Sequence, residues 1–222
     1  NGGGDTELEG LWVGKFETPG EYTDGDASKV TVNPGEQSLA NMTINEQYKA
    51  GKSATFGDTS SELVGSHMAK NSEWGAVAYL SHSSYGLDGA KIKQNTNTSL
   101  ITGGSTTELA IYTTNAGQST TGNAYGVYDM SGGGYERTAS YVNYTSASFT
   151  NGGNTEKDLY NASNPEESTK YKTVYEASEL DEEESYHLAV GKKGDGVYET
   201  SNQYNSTSDS WFGTYSKFPD TI

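Results

Sequence analysis

The chain has 222 residues and a mass of 23.7 kDa, room for one large domain or two small ones. Leu, Ile, Val and Phe supply only 31 residues while Gly, Ser, Thr and Asn supply 96, which argues against a helical bundle and for a loop-rich, β-containing domain. A net charge of −16 opposes nucleic-acid phosphates and anionic lipid, no apolar run approaches the ~20 residues of a membrane helix, and the absence of cysteine excludes disulfides, thiolate metal sites and thiol nucleophiles.

In chain order, residues 1–7 (NGGGDTE) look like a linker or a trimmed start, and an ordered domain spans 8–222. Leu8 to Thr18 alternates as a strand, with Trp12 and Phe16 on one parity and Leu11, Val13 and Lys15 on the other, and Pro19-Gly20 ends it. Lys29 to Val32 is a second short strand, stopped by Asn33-Pro34-Gly35. Met42 to Lys49 is weakly helical, with Thr43 or Asn45 as cap.

The clearest helical signal is Ser60 to Ser81. Asp58 or Thr59 caps a first segment to Ala69 that carries Leu63, Val64 and Met68. Asn71 caps a second, in which Trp74, Val77, Ala78 and Ser81 share a face. Trp74 and Tyr79 are too bulky to leave bare and are expected in the core. From Gly86 the pattern changes to strand-sized pieces between polar loops: Leu100-Ile101, Leu109 to Tyr112, Tyr125 to Tyr128 and Ala139 to Tyr144. Residues 151–185 carry an acidic excess peaking at Glu179 to Glu184, the pattern of a solvated loop or helix flank. No fixed-period repeat or linker divides the chain, so a single domain is expected.

Few residues point to catalysis. His67, His82 and His187 have no zinc-type spacing, and no G-x-S-x-G elbow is present. Asp24-Gly25-Asp26 lacks the 12-residue pattern of a calcium loop. Sequons at Asn41, Asn97, Asn143, Asn161 and Asn205 arise readily in a chain so rich in Ser and Thr.

The aliphatic poverty and charge alone would suggest disorder. The 17 Tyr and the scarcity of Pro, four in all, argue for a folded domain with wet aromatic surfaces. Tyr186 to Tyr215 combines Tyr with Ser and Asn, the mixture that gives antibody paratopes rigid contact area and adaptable hydrogen bonds. Tyr198, Tyr204, Trp211 and Tyr215 are the ligand-binding candidates; core and loop packing is the alternative reading of the same residues.

Three segments resemble one family in the family's order. Trp12 to Tyr22 (WVGKFETPGEY) is similar to the opening strand of the formylglycine-generating-enzyme and sulfatase-modifying-factor family, and Asn71 to Leu80 (NSEWGAVAYL) to its E-A-E-W helix. Asn123 to Glu136 (NAYGVYDMSGGGYE) resembles its signature N-x-x-G-L-Y-D-M-x-G-N-V-W-E-W. The closer likeness is to non-catalytic members from gut Firmicutes and their prophages, related to the variable proteins of diversity-generating retroelements. The resemblance implies an α+β, C-type-lectin-like domain. It places a calcium ligand at Glu136, with a buried hydrogen-bonding Glu as the alternative; Gly133 stands where the motif has Asn.

The departures bear on function. The enzymes of the family use a cysteine pair near the C-terminus, and this chain has no Cys, so no catalytic residue and no enzyme activity are expected. The family's R-G-G-S and G-F-R strands have no counterpart after Trp211 to Pro219, so the domain looks C-terminally incomplete. The expected function is a non-catalytic extracellular binding module, of adhesin or phage receptor-binding type, on a bacterial surface or virion. Its partner would be a host-surface protein or glycan, with no nucleic acid, no membrane insertion and no cofactor other than calcium. The alternative is a subunit of an extracellular filament or phage tail that self-assembles into homo-oligomers through this domain.

Overall fold

The computed structural model describes residues 10–23, 25–56, 65–104, 111–134, 136–143 and 171–176. In chain order these carry α1 (Ile44–Ser53), α2 (Asn71–His82), a 3-10 turn (Tyr112–Gln118), β1 (Ser140–Asn143) and β2 (Thr173–Glu176). β1 and β2 pair in parallel, with Ser140 opposite Thr173 and Asn143 opposite Glu176.

Helix α1 begins where a reciprocal cap closes it. The Glu46 backbone N–H donates to Thr43 Oγ1 at 3.2 Å, and the Glu46 carboxylate accepts the Thr43 N–H at 2.7 Å. Ile44, Tyr48 and Ala50 form its buried face. Of the two expected caps, Thr43 is the one used, and the helix runs four residues beyond Lys49.

Helix α2 starts at Asn71, but Asn71 is its first residue and not its cap. Lys70 occupies the cap position, and the Glu73 carboxylate reaches back to accept the Lys70 N–H at 2.9 Å. The helix buries Asn71, Gly75, Ala78 and Ser81, with Trp74 and Val77 partly covered. Tyr79 is exposed, contrary to expectation: the apolar stripe of so small a domain is narrow, and Tyr79 falls outside it. The helix expected before it is not present in its described part, since 65–69 carries no helical turn, and Ser60 to Val64 lie outside the described residues.

The apolar interior is divided. Ala78, Ile92 and Met130 pack with Trp74, Val77, Leu87 and Val127; Ala27, Val30, Ala50 and Ala54 pack with Tyr22, Leu39 and Met42; Ile44, Tyr48 and Ala139 pack with Met68 and Tyr171. An aromatic trio completes it, with Phe16 stacked on Tyr128 at 5.2 Å and Tyr112 edge-on to both.

The pieces read as strands at 11–18, 29–32, 100–101 and 125–128 do not form ladders. Around them stand single bridges, Pro19 with Ser38 and Gln37 with Ile101, and isolated bonds such as Tyr128 N–H to Lys15 O at 2.8 Å. Phe16 is buried as expected, but Trp12, on the same parity, is fully exposed, as are Leu11 and Val13 in part. Side chains satisfy what ladders would have satisfied. Asn97 Oδ1 accepts from the Ser99 and Ile101 N–H groups, and Thr102 Oγ1 donates to Asn33 O. Within the Ala139 to Tyr144 piece, β1 forms as expected, while its partner β2 lies in the stretch read as an acidic flank.

One glycine fixes how closely α1 approaches the chain ahead of α2. A Cβ on Gly51 would fall 2.5 Å from the Met68 backbone nitrogen. Ala is a better helix former than Gly by about 1 kcal/mol, yet Gly51→Ala should destabilise by about 1–3 kcal/mol through overpacking. Urea unfolding checks this, and a stabilised variant would contradict the packing.

Candidate functional site

The signature segment folds from its polar residues. Asn123 Oδ1 accepts the Tyr125 N–H and the Thr121 hydroxyl, both at 2.9 Å, which closes an Asx-type turn. Thr120 N–H then donates to Val127 O at 2.8 Å, and Val127 N–H to Thr120 Oγ1 at 3.0 Å. Tyr125 is left standing in solvent, 90% exposed, while Tyr128 is buried against Phe16.

After Tyr128 the backbone turns inward. Asp129 adopts a left-handed conformation (φ 64°) and is fully buried. Its carboxylate accepts the Asn95 side-chain N–H at 2.8 Å, the Gly103 N–H at 2.8 Å and the Glu17 N–H. Met130 enters the apolar cluster against α2. Gly132 (φ 82°) must lack a side chain, because a Cβ would lie 2.1 Å from Asn95 O. Gly134 N–H donates to Glu17 Oε1 at 2.8 Å, and the other Glu17 oxygen takes the Ser38 hydroxyl. Glu136 Oε2 accepts the Trp74 indole N–H at 2.7 Å.

Three carboxyls are thus brought together, Glu17 from the 12–22 segment and Asp129 and Glu136 from the 123–136 segment, with Trp74 of the 71–80 segment as a donor to the last. Burial pushes Glu17 up to about 7, against its hydrogen bond from Ser38, and the Asp129 charge adds to the rise. Burial likewise raises Asp129, and the N–H donors of Asn95, Gly103 and Glu17 partly offset it. Glu136 moves the same way through desolvation by surrounding protein and the Glu17 charge. Its side chain nevertheless keeps an exposed edge, so water moderates that rise.

Calcium takes six to eight oxygens. The Glu17 and Asp129 oxygens and one Glu136 oxygen already accept N–H or O–H donors, and Gly133 brings no side-chain oxygen. Among the described residues no group of acids and histidines has the arrangement of a metal site. The donor set of this node fits hydrogen bonding rather than a calcium sphere, and Glu136 stands here as the indole acceptor.

Asp26 is a turn residue, its Oδ1 accepting the Ser28 N–H at 2.8 Å, which holds its carboxyl low. Asn97 of the second sequon is buried and engaged as an acceptor. Tyr198, Tyr204, Trp211, Tyr215 and His187 lie outside the described residues. Glu17 and Asp129 lie inside the family-like motifs without a role of their own in the sequence; the signal for them is an acid beside an aromatic in each motif, Phe16-Glu17 and Tyr128-Asp129. Comparison with protein-family models, curated proteins and solved structures finds no match.

Trp74 is the tie between α2 and this node. Trp74→Ala should cost about 3 kcal/mol through lost packing, and Trp74→Phe about 0.5–1 kcal/mol, because water replaces the indole donor at the exposed Glu136. Denaturant unfolding of both variants measures this, and a loss under about 1 kcal/mol for the Ala variant would remove Trp74 from the core.

Proposed function

We propose that the chain is a non-catalytic binding module on a C-type-lectin-like α+β scaffold of the formylglycine-generating-enzyme type, working outside the cell as an adhesin or phage receptor-binding protein. The observation that carries the reading is the pairing of a side-chain-locked interior with bare aromatics on polar loops. Glu17 and Asp129 beneath the surface, and the Trp74–Glu136 bond at its edge, tie the three family-like segments together. Tyr125 and Tyr85 stand 90% and 87% exposed in the runs TTGNAYG and SHSSYG. Loops on a rigid scaffold are where recognition concentrates, and Tyr flanked by Asn, Ser and Gly suits stacking with many polar contacts.

No cysteine is available for the family's thiol chemistry, which supports a binding role over an enzymatic one. The net charge of −16 favours a neutral or basic protein patch, or a glycan, over polyanions. No described helix is long and apolar enough to cross a membrane.

A second reading, self-assembly into a filament or tail, is favoured by the exposed apolar run Leu11-Trp12-Val13 together with Ile111 and Leu80. The two readings separate on one experiment. Alanine replacement of Tyr204, Trp211 and Tyr215, with folding checked, should lower binding to host cells or to a glycan and protein array by at least ~10-fold. Unchanged binding by the folded triple variant would move the site to Tyr85 and Tyr125. Absence of any ligand, together with burial of more than ~1,000 Å² between copies, would favour the filament.

A further inference from the structure

His67 occupies a junction that the binding reading does not use. Its Nε2 lies 2.9 Å from Glu73 Oε2 and 3.1 Å from Oε1, and its Nδ1 meets the Gly65 carbonyl oxygen. A carbonyl and a carboxylate only accept, so both ring nitrogens must carry a proton to satisfy this geometry, and the imidazolium is the form that fits. On its face the ring packs against Tyr171, with centroids 5.6 Å apart.

Tyr171 stands two residues before β2, and the same junction collects the elements around it. Ala139 N–H donates to Ala69 O at 2.8 Å, Thr173 N–H donates to Ala139 O at 2.7 Å, and Ser66 Oγ donates to Gly51 O of α1 at 2.8 Å. We infer that His67 is a proton-dependent pin: charged, it holds Tyr171, and with it the start of β2, against the start of α2, and neutral, it releases them.

The groups around the ring, among the described residues, set the direction. From α2 and its cap, Glu73 favours the charged ring and Lys70, 3.5 Å from Glu73, opposes it. Tyr171 contributes its ring, over which Lys52 of α1 sits at 4.9 Å. Lys172 and Tyr48 stand behind, 5.8 Å apart. The Glu73 hydrogen bond holds His67 above its ordinary 6.5, with burial opposing. Burial would raise Glu73, but the His67 and Lys70 hydrogen bonds overcome it and bring Glu73 down to about 2.

The sign of the device follows from linkage. A raised histidine contributes stability that is complete below 6.5 and lost as pH climbs through the folded value; the lowered Glu73 contributes stability that is complete above 4.5 and lost as pH falls through about 2. The pin is therefore set between 4.5 and 6.5 and slips on the alkaline side. Above it, a bare ring lone pair faces either the Gly65 carbonyl or the Glu73 carboxylate, which repel it.

The test is a histidine NMR titration of the full chain from about pH 5 to about pH 9, with His67→Gln assigning the signal and Tyr171 and 171–176 amide signals followed in parallel. His67 should titrate above 6.5. Tyr171 should follow the same curve, and exchange of the 173–176 amides, corrected for its chemical rate, should rise at least ~10-fold across it. In Glu73→Gln the midpoint should move down and carry the 171–176 transition with it. A His67 midpoint at or below 6.5, or 171–176 signals indifferent to it, overturns the inference, and the titration of the unsubstituted chain decides this even where a variant does not fold.

Discussion

Asp129 carries a carboxylate into the interior, and the donors that surround it come from three separate stretches of chain: Glu17 N–H, Asn95 Nδ2 and Gly103 N–H. A buried anion held by N–H groups is tolerated only where every lone pair finds its donor, because an unmade bond there costs the full desolvation of the group. The three stretches must therefore arrive in one arrangement or none. Asn95 extends that demand, since its Nδ2 also donates to Ile101 O and its Oδ1 accepts the Asn97 N–H. Asn115 Nδ2 donates to Gly103 O, which ties the 3-10 turn to the same node.

This constraint accounts for how so polar a chain folds with so little aliphatic material. The apolar clusters are small and separate, and several are built on Ala, which contributes little transfer energy apiece. Joining them falls to buried polar side chains, chiefly Asn, Ser, Thr and Asp, which together with Lys70, Gln118 and Lys172 outnumber the buried hydrophobic ones in the described interior. Networks of this kind specify one arrangement strongly when satisfied and fail together when broken. The glycines at Gly132 and Gly133 belong to the same logic: at each a Cβ would strike Asn95 O or the Glu17 carboxylate, so close approach of backbone to the network depends on their bareness.

What the sequence disclosed follows the range of the forces involved. The Thr43 cap and the Trp74 helix are local patterns, and both helices form there, although α1 runs on to Ser53 and Lys70, not Asn71, caps α2. Alternation over 8–18 predicts a strand with Trp12 and Phe16 on one face; Phe16 is buried and Trp12 is not, because the described backbone there meets no ladder that would impose a common face. β2 was hidden because Thr173–Glu176 is stabilised by its partner β1, some thirty residues earlier, and carries no period of its own. The carboxyl node is half legible: its residues stand in the family-like motifs, but hydrogen bonds spanning residues 17 to 134 leave no signature in spacing. Tyr198, Tyr204, Trp211 and Tyr215 remain a reading of composition, since they lie outside the described residues.

The central claim is that the Asp129 hydrogen-bond node, more than any apolar cluster, holds these segments in place. Urea unfolding of Asp129→Asn tests it most directly, because the substitution keeps size and shape while turning one acceptor oxygen into a donor that faces donors. The account predicts a loss of about 2–4 kcal/mol, with the Trp74 emission changed in the folded baseline. A loss below about 0.5 kcal/mol with unchanged emission would show that the fold does not depend on this carboxylate.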